Sequence, residues 1–199
     1  MENPTISDPF GDGVSPESKK IARDNALKFG LYLGIISVCI SLIFYLIDPL
    51  LVVKVSALGY VIILISILAS VYFTLEIRKA IGGFWNFKFA FSSIFIMFLV
   101  SILISQVYQV VLVKVIDKDY SQKIIDASLE KARRDMAAKG ITGETLDKQM
   151  EMVKGFIPDM ASTKTLLLGF LFSVVFATIG SLIYAAIFKK DKPVFSTSA

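Results

Sequence analysis

FAFSSIFIMFLVSILISQVYQVVLV, residues 89 to 113, runs for 25 positions without a charged side chain. An α-helix rises 1.5 Å per residue, so crossing a hydrocarbon core of about 30 Å takes about 20 apolar residues. This stretch is long enough, and three others match it: 29–47 with 19 uncharged residues, 55–75 with 21, and 165–188 with 24. Where the stretch begins, Phe87, Phe89 and Phe91 alternate with a strand's period. An open strand edge in lipid would leave backbone groups without partners, so a helix running into the span is expected. The chain reads as an all-α integral membrane protein with four transmembrane helices. Its composition agrees, at 55% hydrophobic residues against about 45–50% in soluble domains.

Immediately upstream, RKAIGGFWNFKFAF (78–91) joins the second span to the third. Gly82 and Gly83 supply the left-handed backbone that ends a helix at little cost. Phe84, Trp85 and Phe87 fall at headgroup depth, where aromatic rings are favoured. Lys88 can carry its charge to water while its stem stays in lipid. With no GxGxxG and no strand before the glycines, a dinucleotide site is excluded. The stretch reads as an interfacial elbow, with a ligand-binding elbow as the alternative.

Charge outside the spans sets orientation. Lys19, Lys20, Arg23 and Lys28 precede the first span; Arg78, Lys79 and Lys88 lie in the elbow; Lys189, Lys190 and Lys192 follow the fourth. These ten fall on one side of a four-span protein. Within about 15 residues of the spans, the other side has six: Lys54, Lys114, Lys118, Lys123, Lys154 and Lys164. Positive residues concentrate in the cytoplasm, so both termini are expected inside. Scattered in this way, the cations of a chain with net charge +4 form no nucleic-acid patch. The expected division is a cytoplasmic polar tail (1–28), transmembrane helices 1–3 (29–113), an extracytoplasmic charged helical hairpin (114–164), transmembrane helix 4 (165–188) and a cytoplasmic tail (189–199). The first apolar stretch lies too deep and is too long for a cleaved signal. With Pro4, Pro9 and Pro16, and few large apolar residues before Ile21, the tail is expected to be disordered.

Helices associate in lipid through small residues that let backbones approach. Gly30 and Gly34 form a GxxxG pair in the first span, and Gly169, Ser173, Ala177 and Ser181 recur every fourth residue in the last. These stripes are expected at helix contacts. They serve either within the chain or, for the Gly30/Gly34 face, in a homo-oligomer. Gln106 and Gln109 are the most polar side chains inside the windows, and their amides need interhelical hydrogen bonds. No Asp, Glu, Lys or Arg lies in any window, whereas ion-coupled carriers and proton relays keep such a group in the membrane. The chain has no histidine, and its only cysteine, Cys39, sits in the first span. No cofactor and no metal site is expected, and no catalytic motif is present.

The 114–164 segment carries 19 charges in 51 positions. From Ser121, a helical pattern aligns Ile125, Leu129, Ala132 and Met136, and Gly140 caps it. Thr142 suits the start of a second helix, with Glu144 where the dipole favours an acid. Leu146, Met150, Val153 and Ile157 form its apolar face before Pro158 breaks it. The two faces either bury each other or stay open for a partner or the membrane surface.

A basic turn, GGF at 82–84, and FKFAF at 87–91 leading into a long apolar run come before DKDYSQKIIDASLEKARRDMAAKGITGETLDKQMEMV (117–153). This order resembles the bacterial membrane family called domain of unknown function 4199, across roughly residues 19 to 190. Asn86 stands where members of that family often have a small polar residue. The family has no assigned activity, so the resemblance implies spans and a charged segment before the last one, and transfers no site residues.

The reading that follows is of an interaction or assembly protein, not an enzyme, that meets an unidentified protein partner through its hairpin and has lipid as its other neighbour. A small transporter or channel, working as an oligomer, is the alternative. An integral-membrane enzyme ranks last.

Overall fold

Ser15 starts the first helix by accepting a hydrogen bond from the Ser18 amide at 3.1 Å, with Pro16 at the first helical position and Glu17 in the first turn. The structure, a computed structural model, describes residues 14–157 and 159–191. It contains α1 (Pro16–Ile47), α2 (Leu51–Lys54), α3 (Ser56–Ala80), α4 (Phe87–Val111), α5 (Tyr120–Ala138), α6 (Gly143–Phe156) and α7 (Thr163–Phe188). A π-helical turn, Leu112–Ile116, prolongs α4. α1, α3, α4 with its π-turn, and α7 are long and apolar enough to cross a membrane. The architecture is all-helical.

α4 is the axis of the bundle. α1 packs along one flank of it, α7 along another, and α3 rests on α1. α1 and α4 run parallel, since Gly30 meets Met97 and Val100 while Gly34 meets Ile104. The approach is close. A Cβ added at Gly30 would lie 2.6 Å from the Met97 carbonyl oxygen, and one at Gly34 would lie 2.8 Å from the Ile104 side chain. Ala22 and Ala26 continue the same four-residue stripe with no exposed surface. The polar tail expected over 1–28 is therefore helical from Pro16, because the Ser15 cap and the buried alanines extend the span's packing face. Residues 1–13, with Pro4 and Pro9, lie outside the described residues, as do Pro158 and 192–199.

The other boundaries move as well. Asp48 ends α1, and its carboxylate accepts bonds from the Leu50 amide at 2.9 Å and from Lys54 at 2.6 Å, which shapes the short α2. The third span runs through Ile116 and the fourth begins at Thr163, so the hairpin is shorter at both ends than 114–164. Gly140, at φ +80°, closes α5, and the amides of Gly140 and Ile141 bond back to Ala137 and Met136.

The small stripe of α7 is used over its C-terminal half. Ala177, Ser181 and, four residues on, Ala185 are buried, Ser173 is half-buried and bonds to the Gly169 carbonyl of its own helix, and Gly169 is exposed with nothing within 4 Å of an added Cβ.

Gly34→Leu should lower thermal stability in detergent by an amount typical of core overpacking, about 1–3 kcal/mol or more. Gly59→Leu, which meets open space, should leave the melting temperature nearly unchanged. Equal effects would mean that the α1–α4 contact does not hold in solution.

Candidate functional site: the clamp, the cleft and the hairpin base

The elbow is built differently from an aromatic anchor in the headgroups. Gly82 and Gly83, at φ +89° and +84°, end α3, and their amides bond to Lys79 and Arg78. Asn86 caps α4 by accepting from the Phe89 amide at 2.9 Å, so the helix starts at Phe87 and does not include Trp85. Trp85 is 2% exposed and turned into the protein core, not outward as an exposed ring. Its backbone pairs with Lys190 in an antiparallel bridge, through N–H···O bonds of 2.9 and 3.0 Å. Its indole Nε1 donates to the Phe188 carbonyl at 2.8 Å, and Arg78 donates to the same oxygen at 3.3 Å. A helix end leaves carbonyls without partners, and here two side chains from the elbow cover one of them. Phe84 remains at the rim under the Lys190 ammonium, while Phe87 and Lys88 are exposed. Nothing in the local pattern of 78–91 signals the bridge, because its partner lies about a hundred residues away.

Above this clamp the spans enclose a cleft. Ser70 of α3 and Tyr184 of α7 share a hydrogen bond of 2.7 Å, next to the edge-on contact of Phe98 with Tyr184. A cavity of about 380 Å³ opens beside them, with residues of all four long helices in its walls. Leu33, Ile36, Ile62, Ile63, Ile67 and Phe98 make it apolar; Ser37, Ser66, Ser70, Ser101 and Tyr184 bring hydroxyls. Ser66 and Ser70 already donate to carbonyls of their own helix, both at 2.8 Å, so they offer lone pairs more readily than protons. No charged side chain lines the cavity. Its volume is in the range of small-molecule sites, and its chemistry suits an uncharged or weakly polar guest. Gln106 donates to the Leu166 carbonyl at 3.3 Å and ties α4 to α7; half-buried Gln109 makes no such interhelical bond among the described residues.

At the far end, the hairpin is fastened by polar contacts. Asp117 accepts from Lys123 at 2.9 Å and from the Tyr45 hydroxyl at 3.3 Å. Tyr45 also meets Tyr120 edge-on, and Ser121 donates to Asp159 at 2.8 Å. The Lys123 ammonium holds Asp117 below the usual carboxylate value and is itself raised by the same bond. The Ser121 hydroxyl does the same for Asp159, and Lys54 for Asp48. A second cavity of about 260 Å³, bounded by Tyr45, Asp48 and Tyr120, reaches inward to Ser37 and Ile62, which also line the central cleft.

Along the hairpin, Leu146 is buried, while Ile125, Leu129, Met136, Met150 and Val153 are half-buried. The most buried apolar residue of α5 is Ile124, which the single-face pattern passes over. α5 has two neighbours, α6 on one side and α2 on the other, where Lys131 bonds Ser56 and a charged crevice runs between Lys54 and Glu130. A helix with two packed faces cannot be read from one stripe. Thr142 sits at the N-cap of α6 without a side-chain capping bond. Among the described residues no three His, Cys, Asp or Glu side chains converge in a way that could hold a metal ion, and Cys39 is a free, exposed thiol.

The hairpin base should be sensitive to acid. A carboxylate whose native pKa is depressed stabilises the fold above its unfolded value, here 3.8, and the contribution is lost as pH falls through the native value. Lys123 is raised, so its contribution is present below 10.5 and is lost as pH rises through the native value. Hydrogen-exchange protection of Ser121–Ile124, corrected for intrinsic rates, should be flat between about pH 5 and pH 9 and should fall below 3.8. Asp159→Asn should lower the plateau.

Neither the curated proteins nor the solved structures contain a match to this chain. A family model described as "Protein of unknown function (DUF4199)" matches residues 28–190, from the last cation before the first span to the lysine that pairs with Trp85. That range takes in the four spans, the elbow and the hairpin, and the chain belongs to this family.

Proposed function

We propose that the protein is an interaction or assembly component of a bacterial inner membrane, with both termini in the cytoplasm and the α5–α6 hairpin outside as its contact element. The observation that carries this reading is the outer edge of α6. Met152 and Phe156, one helical turn apart, are 60% and 86% exposed, on a helix that rests chiefly on α5. Aromatic and methionine side chains at such an edge suit a protein interface core. The polar fastening at the hairpin base supports the same reading, because it fixes the direction in which this edge points. Orientation rests on the cation count, ten flanking the terminal end against six at the hairpin end.

A second reading, binding or movement of a small amphiphile, is favoured by the hydroxyl-bearing cleft and by the cavity that leads from it toward the hairpin base.

Orientation is checked by cysteine labelling in a Cys39→Ala background. A cysteine replacing Lys139 should react with an impermeant reagent on intact spheroplasts, and one replacing Lys190 only after permeabilisation. For the contact role, a photo-crosslinking residue at Met152 or Phe156 should give one protein adduct of defined mass, absent when the crosslinker is at Tyr60 on the outer face of α3. Leu146→Glu, which places a charge in the hairpin seam, should abolish that adduct while the spans still insert. Lipid adducts alone from Met152 and Phe156 would remove the interaction reading and leave the cleft as the functional element.

A further inference from the structure

At the terminal end, the first turns of α1 and α4 lie side by side and leave a crevice of about 290 Å³ between them. Arg23 and, one turn earlier, Lys19 come from α1; Lys88 comes from α4. Ser92 follows Lys88 by one turn and Ile96 follows by another, so the α4 wall passes from cation to hydroxyl to hydrocarbon as it goes deeper. Phe89 also lines the crevice. Ser93 is also present, but its hydroxyl donates to the Phe89 carbonyl at 3.0 Å. No acid lines the crevice. The nearest to Arg23 is Asp24, at 4.0 Å, with both side chains more than half exposed. Lys19 has a partner of its own, and Arg23, Lys88 and Ser92 supply the remaining polar groups for a guest.

The depth of the crevice identifies its guest. Lys28 is the last charge before the uncharged stretch of the first span, with its ammonium over the Phe29 and Tyr32 rings at 5.9 and 5.8 Å. Arg23 precedes it by five residues, which is about 7–8 Å along a helix. The polar layer of one leaflet is about 5–7 Å thick. Arg23 and Lys88 therefore flank the crevice at the outer edge of the headgroup layer, above an apolar wall that an acyl chain can follow. Two cations from different helices with a hydroxyl one turn deeper match a phosphate oxyanion, and guanidinium is the better donor for its fork of oxygens.

We infer that this crevice binds the phosphate of an anionic phospholipid, with the headgroup between Arg23 and Lys88, Ser92 donating to it, and the acyl chain running along Ile96. A free phosphate ester would meet the same cations without the hydrocarbon contact.

The test uses the full chain in phosphatidylcholine nanodiscs, titrated with phosphatidylglycerol, and reads thermal shift and the number of phosphatidylglycerol molecules retained. Wild-type protein should be stabilised and keep the lipid. Arg23→Gln/Lys88→Gln should bind it roughly ten- to a hundredfold more weakly, the scale of losing charge-assisted hydrogen bonds. Its melting temperature in phosphatidylcholine alone should match that of wild type, which establishes folding. Lys79→Gln removes a charge at the same end but outside the crevice, and it should leave binding unchanged. If Lys79→Gln costs as much as the double substitution, attraction is diffuse and the site is refuted. If inorganic phosphate reproduces the wild-type shift and the double variant loses it, the crevice takes free phosphate and the lipid assignment falls.

Discussion

Everything in this bundle is positioned by the approach of α1 to α4. Along Ala22, Ala26, Gly30 and Gly34 no side chain larger than a methyl group intervenes, and at Gly30 even a methyl would strike the Met97 carbonyl. Lipid tails are as apolar as leucine, so two such helices gain little from merely hiding hydrocarbon. They gain from dispersion contacts over a long, closely matched surface. That matched surface also fixes register. Once Gly30 faces Met97 and Val100, Arg23 must fall beside the first turns of α4, and the crevice of cations follows.

The remaining spans take their levels from this pair. Phe73 of α3 stacks on Phe29 at 4.9 Å between ring centroids, and Tyr184 of α7 meets Phe98 at 5.5 Å. Both contacts lie toward the terminal end, and so does the buried core, with Trp85, Phe89, Ile94 and Met97 at its centre. Toward the hairpin, α3 exposes a nearly continuous apolar surface from Tyr60 to Leu68. Bundles tied firmly at one end and loosely in the middle leave space between helices, and the cleft occupies that space. Its lower limit is the Ser70–Tyr184 bond, which joins side chains of two spans directly.

Features set by one residue's own neighbours in sequence were legible. Uncharged windows marked four helices, the Gly82–Gly83 pair marked the end of α3, and Gly140 marked the hairpin turn. Features set by a distant partner were not. Trp85 carries the same local signature whether its ring meets headgroups or the last carbonyls of α7; only the position of Phe188 decides. The stripe on α7 is covered from Ala177 to Ala185 and open at Gly169, and which part of it is covered is set by how the neighbouring helices lie, not by the stripe itself. Ile124 was hidden because α5 has two neighbours and a single stripe describes one. The polar composition of 16–28 suggested a tail, yet Ala22 and Ala26, spaced in line with Gly30, were the residues that extend the helix.

The two ends of the molecule also divide its chemistry. Within the spans the most polar groups are hydroxyls and amides, many of them bonded to backbone carbonyls. Such groups bind weakly polar partners and hold helices together, but at neutral pH they neither carry a proton nor balance an ion. Charge is confined to the ends. At the terminal end the cations of the crevice come from two helices already in contact. At the hairpin end, Asp117, Lys123, Ser121 and Asp159 spend their polarity on one another and on holding α5 upright. What α6 then offers outward is its apolar edge, Met152 and Phe156. The α1–α4 contact is the rigid link between these two ends.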